Sequence, residues 1–316
     1  MKKYKVVANM EWTSKCNARC VMCPQSLIKK PQLMTPEVFS KTLERLSPND
    51  LFRVVIAGYG EPTTHPHFMD FISAAGKHPV RFDLVSNGQE LNEERLQHLD
   101  GKIELLVISF SSIDSSVYNR IHINLDHERV IENILLAKKT LKYTQLGISL
   151  TPLSECLYTL PETIAWFESH GITLLTMSPT LYDRGGNMTD HKLSTQRLRQ
   201  IISDFQLHSQ EMDFIPSLGD SLKQMWHNKF MCMPRNSDIF ITSSGHYLYC
   251  YNDISHTHTI GHINDLDVRQ ALNLREKMVP INDLCNGCNM HDRYRPKELV
   301  KVTKKYLSDK YFHSMP

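Results

Sequence analysis

The chain has 316 residues, 41% hydrophobic and 22% charged, with a formal net charge of +2. That is the composition of a globular protein with one large domain, or one large and one small, and the near-neutral charge argues against a nucleic acid or a membrane surface as partner. The Lys-rich start, Met1–Lys5, leads into an apolar run too short for a signal segment, and nothing approaches the roughly 18 apolar residues of a membrane span. A cytoplasmic protein is therefore expected, and its eight cysteines read as metal ligands or redox groups rather than disulfides.

Taken in order, Lys5–Trp12 is a short strand that delivers the chain into Cys16–Asn17–Ala18–Arg19–Cys20–Val21–Met22–Cys23–Pro24. Thr35–Pro36 is a helix start, with a capping hydroxyl and proline at the first helical position. Leu51–Ala57 is a β-branched run ending in Gly58–Tyr59–Gly60–Glu61–Pro62, which reads as a buried strand and a tight turn. Helical stretches at Phe68–Ala75, Asn92–Leu99, Asp126–Leu141, Leu160–His170 and Leu193–Leu207 alternate with strands at Val80–Val85, Ile103–Phe110, Gln145–Leu150 and Ile172–Met177. Six strands alternating with helices predict parallel pairing and α/β architecture, whose working end is the carboxyl end of the strands. After about residue 212 the pattern changes: Asp238–Thr242 and His246–Cys250 alternate around Ser243–Ser244–Gly245 as a hairpin, and a Lys-rich helical stretch, Pro296–Leu307, follows. The expected division is 1–211 and 212–316.

Three thiols within eight residues make a poor closed zinc site, because structural zinc takes four ligands. They suit a [4Fe–4S] cluster with one iron left open; the bland alternative is three unrelated loop cysteines. With Gly58–Pro62 after the next strand, this pattern resembles the radical S-adenosylmethionine (SAM) enzymes, and residues 12–180 resemble their core, a partial (β/α)6 barrel. The resemblance implies that Cys16, Cys20 and Cys23 ligate the cluster and that SAM occupies its open iron through the methionine amino and carboxylate groups. It implies that Gly58, Gly60, Glu61 and Pro62 form the turn holding the methionine amino group. Met22 stands where an aromatic residue often contacts adenine. Ser86 and Asn87 match a family strand end, and Ser109 and Ser111 one that carries ribose and methionine contacts, with Ser111 where Asp is common. Arg129 matches an arginine that pairs with the SAM carboxylate, a geometry its guanidinium fork suits; the plain alternative is a solvated helix arginine.

The later cysteines carry a second resemblance. Cys232, Gly245 and Cys250, then Cys285 and Cys288, are similar to the SPASM and twitch domains, and four cysteines fit the twitch form, a small α+β domain with a second, auxiliary [4Fe–4S] cluster. Four thiolates also suit a zinc ribbon. Arg184, in Tyr182–Asp183–Arg184–Gly185–Gly186–Asn187, lies in an Arg-Gly-Gly element that recurs in twitch enzymes, including an aminocyclitol dehydrogenase, where it would face the substrate; its alternative is a glycine-rich linker. Cys156 belongs to neither set and is either a hydrogen-atom donor to a substrate radical or a packed loop cysteine.

The implied chemistry is one-electron cleavage of SAM to methionine and a 5′-deoxyadenosyl radical, which abstracts hydrogen from an unactivated C–H bond. A low-potential donor such as flavodoxin or ferredoxin is implied. Fifteen residues precede Cys16, too few for a leader-recognition domain, so the expected substrate is a small hydroxylated metabolite, a sugar or aminocyclitol, undergoing oxidation or epimerisation. The alternatives are modification of a peptide or protein (a crosslink, thioether, D-residue or formylglycine) and a zinc-binding scaffold without radical chemistry.

Overall fold

A computed structural model describes residues 5–151, 153–178, 195–209, 238–279 and 281–285. Strands β1 (Val6–Met10), β2 (Leu51–Ile56), β3 (Phe82–Ser86), β4 (Leu105–Phe110), β5 (Gln145–Leu150) and β6 (Leu175–Met177) are the six foreseen, and all pair in parallel, each with its neighbour in sequence. Between them run α1 (Pro36–Arg45), α2 (Phe68–Ala75), α3 (Glu93–Leu99), α4 (Ser115–Ile121), α5 (His127–Thr140), α6 (Ser154–Leu157) and α7 (Leu160–Ser169), with α8 (Thr195–Asp204) after β6. Thr35 caps α1 as expected, accepting the Val38 N–H with Pro36 at the first position. Asn92, Asp114 and Asp126 cap α3, α4 and α5 in the same way.

The C-terminal strands extend the same sheet. β7 (Asp238–Ile241) pairs in parallel with β1, and β8 (His246–Leu248) and β9 (Thr259–His262) follow in antiparallel, giving the order β6-β5-β4-β3-β2-β1-β7-β8-β9 among the described residues. Gly245, at φ +84°, turns the foreseen β7–β8 hairpin. β9, α9 (Val268–Lys277) and α10 (Asn282–Cys285) complete the described chain, and of these sequence patterning indicated none. The Thr-Ile-Gly-His of β9 is four residues interrupted by a glycine, too short a pattern to announce a strand, and pairing with β8 supplies what the local sequence lacks.

The register sorts the parallel strands into two faces. One carries Val6, Ala8 and Met10 with Val54, Ile56, Leu84, Leu106, Ile108, Phe110, Ile148, Leu150, Leu175, Met177, Ile239 and Ile241, all buried in the main core. The alternate positions read Asn9, Val55, Val85, Val107, Ser109, Ser149 and Thr176, which are only partly buried. This second face is the inner wall of a partial barrel. Its mixture of small, hydroxylic and amide side chains is what a polar ligand meets, whereas the first face is sealed by helices. Arg53 and Asp83 lie on the inner face and pair at 2.8 Å, with Asp83 nearly buried; burial raises its carboxyl above the ordinary range despite that arginine.

Candidate functional site: a cysteine loop at the strand ends

The loop after β1 is prepared by an aromatic knot. Trp12 meets Phe39 and Phe71 edge-on, with centroids at 5.7 and 5.3 Å, and those two rings stack at 3.9 Å. Beyond it the backbone is pinned at several points. Ser14 N–H donates to Gln32 O at 3.0 Å, Arg19 N–H to Ile123 O at 2.9 Å and Val21 N–H to Ile121 O at 3.0 Å, tying the cysteine loop to the carboxyl end of α4.

The turn after β2 docks against the same loop. Glu61 N–H donates to Lys15 O at 2.9 Å. A Cβ on Gly60 would fall on the carbonyls of Thr13 and Lys15, and one on Gly58 would come within 2.6 Å of Glu11 Cγ. The close approach that these glycines allow within the protein is to the chain itself. Glu11, which sequence reasoning missed, is the fully buried residue behind this. Its carboxylate accepts Tyr59 N–H at 3.1 Å and the Ser243 hydroxyl at 3.0 Å, joining the turn to the β7–β8 hairpin. A carboxylate immediately before a strand-end tryptophan was its only signal.

Glu61 is the hub of the β3 end. One carboxylate oxygen accepts the Thr63 N–H and hydroxyl, at 3.1 and 2.6 Å, and the Ser86 hydroxyl at 2.8 Å. The other accepts Asn87 N–H at 2.7 Å. Burial still pushes its pKa up, against those donated hydrogen bonds. Pro62 opens the short turn of 3-10 helix at 62–64, which Glu61 caps. Asn87 then reaches back, its side-chain amide donating to Asn17 Oδ1 at 2.8 Å, within the cysteine loop. Gly88, at φ +81° and packed on Ile108, completes the turn, and Asn133 of α5 holds its carbonyl at 2.9 Å.

The thiols of Cys16, Cys20 and Cys23 are free and half-buried. Cys16 Sγ accepts Ala18 N–H at 3.4 Å, and burial pushes its pKa up to about 11. Cys20 is raised further, first by burial and then by the neighbouring Cys23 and Cys16 sulfurs. Its sulfur lies 3.3 Å from His122 Nδ1. His122 is buried, and burial lowers its pKa to about 4. Tyr118, four residues earlier on α4, stacks beside that ring at 4.6 Å, and its pKa is raised by burial and by Cys20. Sequence reasoning missed both residues, since nothing local marks α4 as the wall behind Cys20.

The other candidates are distributed as follows. Ser109 lies on the inner face opposite Ser149, and Ser111 is buried with its hydroxyl unpartnered among the described residues. Arg129 is half exposed in the first turn of α5, its guanidinium 3.6 Å from Glu90. Met22 packs against Cys156, Val117, Ile121 and Leu153. Cys156 is therefore buried in an apolar cluster immediately behind the cysteine loop, and burial pushes its thiol up to about 12. Cys250 Sγ accepts Asn252 N–H at 3.4 Å, and Cys285 is buried at the end of α10. The Tyr59 hydroxyl donates to Tyr251 O, beside Cys250. Arg184, Cys232 and Cys288 lie outside the described residues.

The residues present fit a cluster with SAM. Three free thiols share one anchored loop, with no carboxylate or second histidine bonded to them among the described residues, and an orphaned buried hydroxyl, Ser111 Oγ, follows the end of β4. Among the described residues no three His, Cys, Asp or Glu side chains converge on a single-ion site. No described helix is long and apolar enough to cross a membrane.

Comparison with known proteins agrees with this geometry. Residues 10–154 match the family model described as the radical SAM superfamily. A tungsten-containing aldehyde ferredoxin oxidoreductase cofactor-modifying protein of Pyrococcus furiosus is 26% identical over 183 residues, 54% of this chain and 51% of that protein. An S-adenosylmethionine-dependent nucleotide dehydratase of a Thermoplasmatales archaeon is 28% identical over 128 residues, 40% of this chain and 45% of that one. The chain thus spans about half the length of the curated relatives it matches. Among solved structures, BtrN in complex with AdoMet and 2-DOIA superposes with TM-score 0.56 at 19% identity, covering 92% of this chain and 94% of that one. Streptococcus suis SuiB bound to precursor peptide SuiA gives 0.71 at 14%, covering 92% and 70%, and anSMEcpe with bound AdoMet gives 0.64 at 15%, covering 98% and 100%. At those identities the structural likeness speaks for the fold: a parallel partial barrel continued by antiparallel strands. The match to that family model covers residues 10–154, a little under half of the chain.

Proposed function

We propose that this chain is a radical SAM oxidoreductase or epimerase acting on a small hydroxylated metabolite, with a second, auxiliary [4Fe–4S] cluster held by Cys232, Cys250, Cys285 and Cys288. The observation that carries the radical SAM reading is the docking of the Gly58–Pro62 turn and the β3 end onto the three-cysteine loop, through Lys15 O and Asn17. Cys16, Cys20 and Cys23 would hold the first cluster. With SAM bound to it, the cluster supplies one-electron reductive cleavage and a carbon radical that abstracts hydrogen. The chain's own part is placement and protection. Ser109 and Ser111 offer hydroxyls at the β4 end, Met22 an apolar surface, and Arg129 a cation beside the strand ends. The helix-sealed outer face keeps water from the barrel wall.

The inner-face hydroxyls of Ser109, Ser149 and Thr176 support a polar, hydroxylated substrate. The Thr176 hydroxyl donates to Ile148 O at 3.3 Å, while Ser109 and Ser149, opposite each other, offer hydroxyls that an apolar substrate would leave without a partner. BtrN, bound to 2-DOIA, is the neighbour that favours this reading, and SuiB, bound to a precursor peptide, favours peptide modification instead. Arg184 is proposed to face the substrate and Cys156 to decide whether a substrate radical is quenched. The packing of Cys156 against Met22 puts the thiol behind the cysteine loop and favours oxidation over quenching. A low-potential flavodoxin or ferredoxin is the proposed donor.

Anaerobic reconstitution tests the reading. About eight irons per chain, with methionine and 5′-deoxyadenosine formed after dithionite, is the expected result; bound zinc without SAM cleavage would overturn it. Turnover of polyol and aminocyclitol substrates against short peptides then separates the substrate classes. Cys156→Ala is expected to leave product formation unchanged, and loss of product with 5′-deoxyadenosine retained would instead mark the thiol as a hydrogen donor.

A further inference from the structure

Behind Cys20 lies a wall of packed rings that carries two buried polar groups. Tyr118 and His122 are spaced by four, so α4 and its carboxyl end present both on one face. His122 Nδ1 is 3.3 Å from Cys20 Sγ. The rest of this wall is made of rings, with Tyr118 packed on Phe110 at 5.0 Å and on His127 at 5.0 Å, and His127 Nε2 is 3.3 Å from Ser112 O. Two buried polar atoms here have no partner among the described residues, His122 Nε2 and the Tyr118 hydroxyl. Buried polar atoms are seldom left so, and two of them on adjoining rings call for an explanation.

The direction of the histidine contact follows from the chemistry of its partner. A thiolate bound to iron can only accept a hydrogen bond. Were the imidazole proton on Nε2, a lone pair would face that sulfur and a buried N–H would stand unpaired, the costlier kind of orphan. The proton therefore belongs on Nδ1, and the atom left over is an acceptor. We infer that His122 is a positioning residue for the cluster, donating its Nδ1–H to the Cys20 sulfur and thereby making the cluster easier to reduce. This rests on the reading of Cys16, Cys20 and Cys23 as cluster ligands. The physical effect is electrostatic. Reduction by an external donor adds one electron, and so one negative charge, to the cluster and its sulfurs. A fixed donor aimed at one of them stabilises the reduced form more than the oxidised one, and hydrogen bonds to sulfur are among the levers that set such potentials.

The test is an EPR-monitored redox titration of reconstituted holoenzyme. His122→Phe keeps the ring that packs on Tyr118 but removes the donor, and His122→Asn keeps an N–H at the same distance along the side chain. The phenylalanine variant is expected to show a tenfold lower equilibrium for one-electron reduction, a midpoint about 59 mV more negative. The asparagine variant is expected to restore the wild-type midpoint to within a third of that shift. Equal midpoints in the phenylalanine variant and wild type, with the cluster intact, would overturn the inference, and so would equal shifts in both variants. If the phenylalanine variant fails to hold iron, the wild-type protein decides. With ¹⁵N-histidine incorporated, pulsed EPR of the reduced cluster is expected to show a nitrogen coupling that His122→Asn lacks, and its absence from wild type overturns the inference. A wild-type protein that forms no cluster at all would instead count against the cysteine-loop reading beneath it.

Discussion

The loop after β1 and the loop after β8 share one feature: each holds a cysteine whose sulfur accepts the N–H of the residue two further on, at 3.4 Å in both. They are built in opposite ways. The Cys16–Cys23 loop is fastened by distant partners, among them Gln32, Glu61, Asn87, Ile121 and Ile123. The Cys250 loop is fastened from within. Asp253, buried, accepts the N–H groups of Thr257 and His258 at 3.2 and 2.6 Å and the hydroxyls of Ser255 and Thr257 at 3.2 Å each. The first loop exists because the barrel exists, whereas the second carries its own knot and meets the barrel through Tyr59. Glu11, between the Tyr59 amide and Ser243, is where the two systems are joined.

The sharpest way to break the comparison is to remove a cysteine from each loop. Cys20→Ala is expected to take 5′-deoxyadenosine formation to background. Cys250→Ala is expected to keep it while the iron content falls by about half. Iron analysis and product quantification on one preparation read both outcomes, and equal loss of SAM cleavage in the two variants would erase the distinction.

Next in size is Glu61→Ala. It leaves the Ser86 hydroxyl and the Thr63 and Asn87 amides without their buried acceptor, and at about 1–3 kcal/mol for each unsatisfied group a loss of about 3 kcal/mol or more is expected in urea unfolding. Glu61→Gln should lose less, since one side-chain oxygen still accepts. Gly60→Ala drives a methyl group onto the backbone of the cysteine loop and is expected to cost about 1–3 kcal/mol, with lowered iron loading as the loop is displaced. An unchanged iron content would show that turn and loop are not mechanically linked. The smallest effect belongs to Asp253→Ala. It is expected to cost about 1 kcal/mol and to raise amide exchange at 254–258 alone, leaving protection at 14–21 as in wild type. Loosening of both loops would instead show that the knot at Cys250 supports the barrel.

Much of this molecule was legible in its amino-acid order, for reasons that can be named. The parallel strands are short runs whose outer-face residues are mostly apolar, and the helix starts carry Thr35 and Asn92 as caps. The cysteine spacing and the Gly58–Pro62 turn could be read as a resemblance because both are contiguous in the chain, and they fall within the residues that match the family model. Less visible were groups that matter through neighbours far away in the sequence. Glu11 looks like any strand-end acid until β2 and β7 close on it. Asn17 and Asn87 are unremarkable singly and meet only across β1, β2 and β3. α4 passed as loop because Ser115 and Ser116 weaken a helical reading, and its Tyr118 and His122 gain meaning only when the cysteine loop folds over them.

The sequence by itself determined which residues are candidates for chemistry, since thiols at that spacing and glycines at a strand end are local properties of the chain. Only the tertiary structure decided what each of them faces. Parallel strands bring their ends together from residues a hundred positions apart. Hydrogen bonds and burial act over a few ångströms of space, whatever the separation along the chain. So the buried carboxylates of Glu11 and Glu61 and the imidazole behind Cys20 are consequences of the sheet, and their roles appear only once it has formed.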